Sequence, residues 1–352
     1  MTPNDSPRPG GYINFIAYLQ IIGIILVVAG HSLHEYPDGA HGWSTPFYRS
    51  IMTVSLPLFM FVSGLLMVYT SGLTGTPKYT PGSFVRTKLR RLILPFIVLT
   101  TVTFVPRALF DSMSDDPFPL TLDNFGRSLV YQDCMPIPFF WFLQVSFIML
   151  SLTFCVLYFS GSRRVRPAAV VLGLLFLAFL VAPIQVTPFL SIDRVRDFGF
   201  FFIAGCLYSL YSARIDRLIP WTDIRFLSAS AAVWIGLFLL FEDSPLRFLC
   251  SLTGIAMCMS LARIMEERRW QFLDHLKAAN YMIFLLSWYF NIAAQQVLAH
   301  FVALPWWVHT SLSLIAGIYI PWLGYKYLEK HQDNRLIRIT SYILGQSFRK
   351  RA

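Results

Sequence analysis

The sequence predicts an all-α, polytopic integral membrane protein of about ten transmembrane helices with both termini in the cytoplasm. Three observations carry that expectation. Of the 352 residues, 55% are hydrophobic and only 14% are charged, against about 25% charged in a soluble domain. The apolar residues come in long blocks, and the mean hydropathy is +0.55. The basic residues gather on alternate junctions between those blocks.

The blocks lie at roughly 12–32, 50–71, 92–109, 138–160, 168–187, 197–212, 224–241, 246–265, 278–299 and 305–327. Most approach the ~20 apolar residues that cross a hydrocarbon core. With the N-terminus inside, the cytoplasmic junctions and the tail hold 23 of the 29 Lys and Arg residues. Arg49, Arg107, Arg127, Arg194, Arg196 and Arg247 remain outside. This asymmetry follows the positive-inside rule. The net charge of +10 therefore reports orientation rather than a nucleic-acid partner. Cys134, Cys155, Cys206, Cys250 and Cys258 are scattered, which fits neither a disulfide framework nor a zinc pattern. With no long hydrophilic stretch, residues 1–352 read as one integral domain, flanked by a short cytoplasmic segment at 1–11 and a cytoplasmic tail at 328–352.

The first span, "YINFIAYLQIIGIILVVAGHS", exceeds the 7–15 apolar residues of a signal peptide and is expected to remain in place. It contains Gln20 and His31. Polar groups inside hydrocarbon are costly, so each is a functional candidate. Eleven residues at 100° each is about 20° past three turns, which puts both on one face, about 16 Å apart along the axis. A neutral imidazole can exchange a proton with a hydroxyl near pH 7; the alternative is a histidine that caps the helix end. The outer loop that follows carries His34, Glu35, Asp38 and His41. Its spacing matches no established metal pattern, and no metal is assigned. His34 and Glu35 are kept as candidates for the mouth of a pocket.

In the second span, Ser63 and Gly64 permit close helix approach. "FVRTKLRRLILPF" then brings Arg86, Lys88, Arg90 and Arg91 to the cytoplasmic start of the third span. Such a cluster can hold phosphates or serve only as a topology signal against anionic lipid. The fourth span opens with "PIPFFWFLQVSF", where Trp141 and Gln144 could line a cleft. Before the sixth, Arg194 and Arg196 sit on the outer side with Asp197, against the charge rule. An outer loop with Trp306, Trp307 and His309 could stack on a sugar or anchor the interface.

These motifs resemble, in order, those of the integral-membrane acyltransferase-3 family. "YLQIIGIILVVAGHS" is similar to its first helix, in which an arginine, ten apolar residues and a histidine recur. "PLFMFVSGLLM", "RTKLRRLILPF", "FFWFLQVSF" and "DFGFFFIAGCLY" resemble its later segments across most of the first 210 residues. The resemblance implies transfer of an acyl group, commonly acetyl, from cytoplasmic acyl-coenzyme A to a carbohydrate or lipid-linked glycan. His31 would be the essential histidine, and Arg90 and Arg91 would lie near the donor. It also implies a bacterial plasma membrane, the inner one in a Gram-negative cell, and a polysaccharide synthesis or export complex as a possible partner.

Two positions depart from the family pattern. Gln20 stands where the family has arginine, and Ser287 where many members have histidine. Either Arg194 or Arg196 supplies the missing cation, or the chemistry is altered. The rival readings are a glycan or lipid transporter, for which paired inverted repeats are the expected sign, and a scaffold subunit. No such repeat is evident. The charge split predicts that reporters fused after Ala352 and within residues 72–88 both read cytoplasmic; a periplasmic signal from either overturns the ten-span topology.

Overall fold

A computed structural model describes residues 9–34, 44–111, 118–301 and 305–346. The architecture is all-α. In chain order the helices are α1 (Pro9–His34), α2 (Ser44–Ser71), α3 (Pro81–Lys88), α4 (Leu94–Asp111), α5 (Leu122–Ser128), α6 (Trp141–Ser160) and α7 (Val165–Val181). They continue with α8 (Ile192–Leu218), α9 (Ile224–Phe241), α10 (Arg247–Glu267), α11 (Asn280–Phe301), α12 (Trp306–Lys330) and α13 (Arg335–Ile343). A π-helical turn, Leu89–Ile93, joins α3 to α4. Among the described residues, β pairing is limited to one isolated bridge between Tyr131 and Phe189.

Each of the ten apolar blocks coincides with a helix. Seven helical segments are long and apolar enough to cross a membrane among the described residues, and the protein is a multi-pass membrane protein. The fifth block was expected to run to 187, but α7 stops at Val181. Pro183 is the reason: the residue before a proline is pushed out of the α region, and Ala182 is extended at ψ 136°. The sixth block is the core of a longer helix, α8. The segment read as a cytoplasmic tail after 328 carries a further helix, α13.

The chain divides into two compact units, Met1–Val62 with Ser212–His331, and Ser63–Tyr211 with Gln332–Ala352. In the first unit, α1 packs against α10, α11 and α12, and α9 against α10. Most of α9 is left for lipid, with Leu239 and Leu240 each more than 70% exposed. In the second unit, α6 packs against α3, the π turn and α7. Phe84 of α3 stacks flat on Phe154 of α6 at 3.9 Å.

Small residues set the closest approaches. Without water to expel, helices in lipid associate through packing, so the backbones must come close. A Cβ on Gly64 would lie 1.9 Å from the carbonyl oxygen of Phe202 in α8. The same approach lets the Cys206 thiol donate to the Gly64 carbonyl at 3.4 Å. A Cβ on Gly254 would meet only the Val54 side chain, at 2.3 Å, whereas one on Gly236 in α9 meets nothing within 4 Å.

The expected order of damage is therefore Gly64→Ala, then Gly254→Ala, then Gly236→Ala. A backbone oxygen cannot rotate away, so Gly64→Ala should cost at least the ~1–3 kcal/mol of overpacking. Gly236→Ala should be neutral or slightly stabilising, since alanine favours a helix by ~1 kcal/mol over glycine. Thermal unfolding of the detergent-purified variants checks the order; Gly64→Ala melting like the parent protein overturns it.

Candidate active site

Helix α1 runs unbroken past Gln20 and His31 to His34. The last four carbonyls of a helix have no intrahelical donor, so those of residues 31 to 34 must find partners elsewhere. Gln295 of α11 provides the donor: its Nε2 donates to the Ser32 carbonyl at 3.2 Å, with a longer contact to that of His31 at 3.5 Å. Four residues earlier on the same face of α11, Asn291 Nδ2 donates to Ser32 Oγ at 2.9 Å and to the Val28 carbonyl at 3.2 Å. Ser32 Oγ in turn donates to Val28 at 2.9 Å.

The two amides also pair with each other, Gln295 Nε2 donating to Asn291 Oδ1 at 3.0 Å. From α12, Ser313 Oγ donates to the same Asn291 oxygen, and His309 Nε2 meets the Gln295 carbonyl at 3.2 Å. A carbonyl only accepts, so Nε2 of His309 carries the proton. Asn291 and Gln295 are each 1% exposed. Three helices thus lock the turn that carries His31, whose own side chain is half-exposed.

The sequence reading missed Asn291, Gln295 and Ser313. The signal was present, because "WYFNIAAQQV" places two amides four residues apart in an apolar run. It also placed His309 in a loop, whereas α12 begins at Trp306 and buries His309.

At its other end α1 is held by ions. The Phe15 amide donates to Glu266 Oε1 at 3.2 Å. Arg263 lies 4.0 Å from the Phe15 ring and pairs with Asp216 at 2.9 Å and Glu266 at 3.6 Å. Tyr18 donates to Asp274 at 2.8 Å, and Lys277 pairs with the same carboxylate at 2.8 Å. Burial pushes the Asp274 carboxyl up, but the hydrogen bonds from Lys277 and Tyr18 prevail and hold it below its ordinary range. Between the two ends, Gln20 Oε1 accepts from Asn280 Nδ2 at 2.9 Å. On an unbroken helix Gln20 stays about 16 Å from His31. Gln20 is thus tied to the first turn of α11, away from the turn that carries His31.

In the second unit the basic run takes a defined shape. Thr80 caps α3 reciprocally with Ser83, and the helix leads through Arg86 and Lys88 into the π turn bearing Arg90 and Arg91. The wide turn follows from Pro95, which has no N–H for the Arg91 carbonyl, while Leu94 N reaches back five residues to Leu89. Arg86, Arg90 and Arg91 are exposed and Lys88 is half-buried above the Phe84 ring at 5.0 Å. Among the described residues, Arg86, Lys88 and Arg90 have no carboxylate partner. Cations left without carboxylates suit an anionic ligand.

A third cluster surrounds Trp141. Its ring stacks on Phe198 at 5.4 Å and 19°, and the Arg194 guanidinium lies 5.4 Å from the same ring. Arg194 Nε donates to Gln132 at 2.8 Å, with Asp193 and Asp197 each at 3.6 Å. Gln144 joins the segments behind it, donating to the Leu129 carbonyl at 2.7 Å and accepting from Ser191 at 3.0 Å. Arg196 faces elsewhere: its guanidinium donates to the Phe179 and Ala182 carbonyls at 3.3 and 2.8 Å, closing the C-terminus of α7. His34 ends α1, and Glu35 lies outside the described residues.

Compared with known proteins, the chain matches the family model of the acyltransferase domain, acyltransferase 3, over residues 13–326. No curated protein and no solved structure matches it. The locked outer turn of α1 predicts that Asn291→Leu, which leaves buried acceptors unpaired at ~1–3 kcal/mol each, lowers the melting temperature and transfer activity together. Gln295→Glu, which replaces the donor with a carboxyl group, should lose activity more than Gln296→Glu, its sequence neighbour. Equal activities for the Gln295 and Gln296 variants at matched expression would overturn this assignment.

Proposed function

The chain belongs to the acyltransferase-3 family and is a membrane acyltransferase; from that premise we propose that it transfers an acyl group, acetyl in our reading, from cytoplasmic acyl-coenzyme A to a hydroxyl of a cell-surface polysaccharide or lipid-linked glycan. We assign it to the plasma membrane of a bacterium, the inner membrane in a Gram-negative cell, working beside a polysaccharide synthesis or export complex. The observation that supports the reading best is the set of three helices that hold the last turn of α1 around a half-exposed His31. The two buried amides hold the backbone beneath the imidazole, as a base that must meet a hydroxyl requires.

The coenzyme supplies an activated thioester. His31 takes the proton of the acceptor hydroxyl as that oxygen attacks, and returns it to the departing sulfur, so the net products are an ester and a free thiol. The proton begins on the acceptor and ends on the thiol, which leaves the imidazole as it started. Arg86, Lys88, Arg90 and Arg91 hold the phosphates of the donor, with the arginines offering paired N–H groups that a lysine cannot. Gln20, tied to Asn280, lines the path of the donor arm. Trp141, buried against Phe198 and the Arg194 guanidinium, would back the acceptor pocket, with Arg194 as its polar group.

His31→Ala and His31→Gln should both abolish glycan acylation at matched expression, a loss of about 10²–10⁴-fold in rate. Glutamine keeps hydrogen bonding but takes no proton, so it separates a base from a cap. Gln20→Ala should be milder. Arg90→Gln with Arg91→Gln should weaken coenzyme A binding in a salt-dependent way. Mass spectrometry of the glycan and thioester hydrolysis by the purified protein read these outcomes; normal acylation by His31→Gln overturns the role of the histidine.

A further inference from the structure

In the segment after α12, Asn334 caps a nine-residue helix by accepting from the Leu336 amide at 2.8 Å. That helix, α13, stops at Gly345. Gln346 N returns to the Ser341 carbonyl at 2.9 Å and Gly345 N to Tyr342 at 3.1 Å, with Gly345 at φ +66°. This is the left-handed ending that favours glycine. A second reason for glycine is proximity. A Cβ at this position would lie 2.8 Å from the Arg91 carbonyl oxygen and 3.3 Å from Pro95 Cγ.

That oxygen is the one that Pro95 deprives of its helical donor, so the end of α13 sits on the irregular part of the π turn. One turn back along α13, the Tyr342 ring lies 4.9 Å from the Arg90 guanidinium. Ser341 and Leu344, flanking Tyr342 and Gly345, are 5% and 9% exposed, which anchors the segment. One element therefore touches both arginines, Arg90 through its side chain and Arg91 through its backbone.

We propose that α13 is a positioning strap for the donor-binding arginines, in which Tyr342 orients the Arg90 guanidinium and Gly345 seats the wide turn that carries Arg91. The inference rests on the donor-site reading above. An arginine already held against a ring loses less side-chain freedom when a phosphate binds, and pre-organisation of that kind appears as affinity. Tyr342 and Gly345 act through the arginines and touch neither substrate.

The test is titration calorimetry of coenzyme A with the detergent-purified full-length protein, alongside donor KM and kcat. Tyr342→Leu should weaken binding about two- to fivefold, the size of an exposed cation–π contact, and raise KM equally with kcat unchanged. Tyr342→Phe keeps the ring and should bind as the parent does. Gly345→Ala should weaken binding as well, with its melting temperature recorded to separate misfolding from misplacement. If Tyr342→Leu changes only the melting temperature while the Arg90 and Arg91 replacements weaken binding, the strap is wrong and the donor site stands. If those replacements leave coenzyme A binding unchanged, the donor-site reading fails and the strap with it.

Discussion

A helix that ends within or near hydrocarbon leaves carbonyls that no water can reach, and each one unpaired costs several kcal/mol. The end of α1 is built around that constraint. Solvent would ordinarily serve the terminal carbonyls of a helix. Here Gln295 does so for Ser32 and His31, and Asn291 adds a bond to Val28. Asn291 Oδ1 accepts from Ser313 and Gln295, while Gln295 Oε1 is buried without a hydrogen-bond partner among the described residues. Removing one donor therefore exposes several acceptors. The backbone of the turn that carries His31 is fixed by this arrangement.

The opposite end of α1 uses charge. Arg263 satisfies Asp216 and Glu266 while covering Phe15, and Lys277 and Tyr18 share Asp274. Burying one ion of such a pair alone is expensive, so the clusters sit where the chain leaves the apolar span and can keep partial hydration. With amides at one end and ions at the other, α1 is fixed along its length. A side chain on a helix that slid or rotated would lose the sub-ångström placement that catalysis depends on.

Much of this was legible in the residues. Ten apolar blocks became ten helices, Gly64 proved to be a site of close backbone approach, and Gln20 and His31 share one unbroken helix. What escaped depended on contacts distant in the chain. Nothing in the spacing of Arg194 and Arg196 tells which one faces an aromatic ring and which closes a neighbouring helix, because the α7 carbonyls that occupy Arg196 lie 14 and 17 residues away. The π turn was equally hidden, since Pro95 permits it but α13 sits against it. Asn291 and Gln295 escaped for a different reason: a window averaged for hydropathy dilutes two amides among apolar neighbours, although the cost of burying each is not diluted at all.

The neutral residues at positions 20 and 287 have a physical setting of their own. A buried arginine needs an anion or several acceptors around it. Gln20 needs less, and the structure gives it one neutral partner, Asn280, at the first turn of α11. Ser287 is 3% exposed, and a Cβ on the facing Gly317 would lie 3.3 Å from its carbonyl and 2.8 Å from Val28 Cγ1. The three helices α1, α11 and α12 approach tightly around that point. The interior of this unit thus meets α1 with neutral amides and close packing, and both bear on the helix that carries His31.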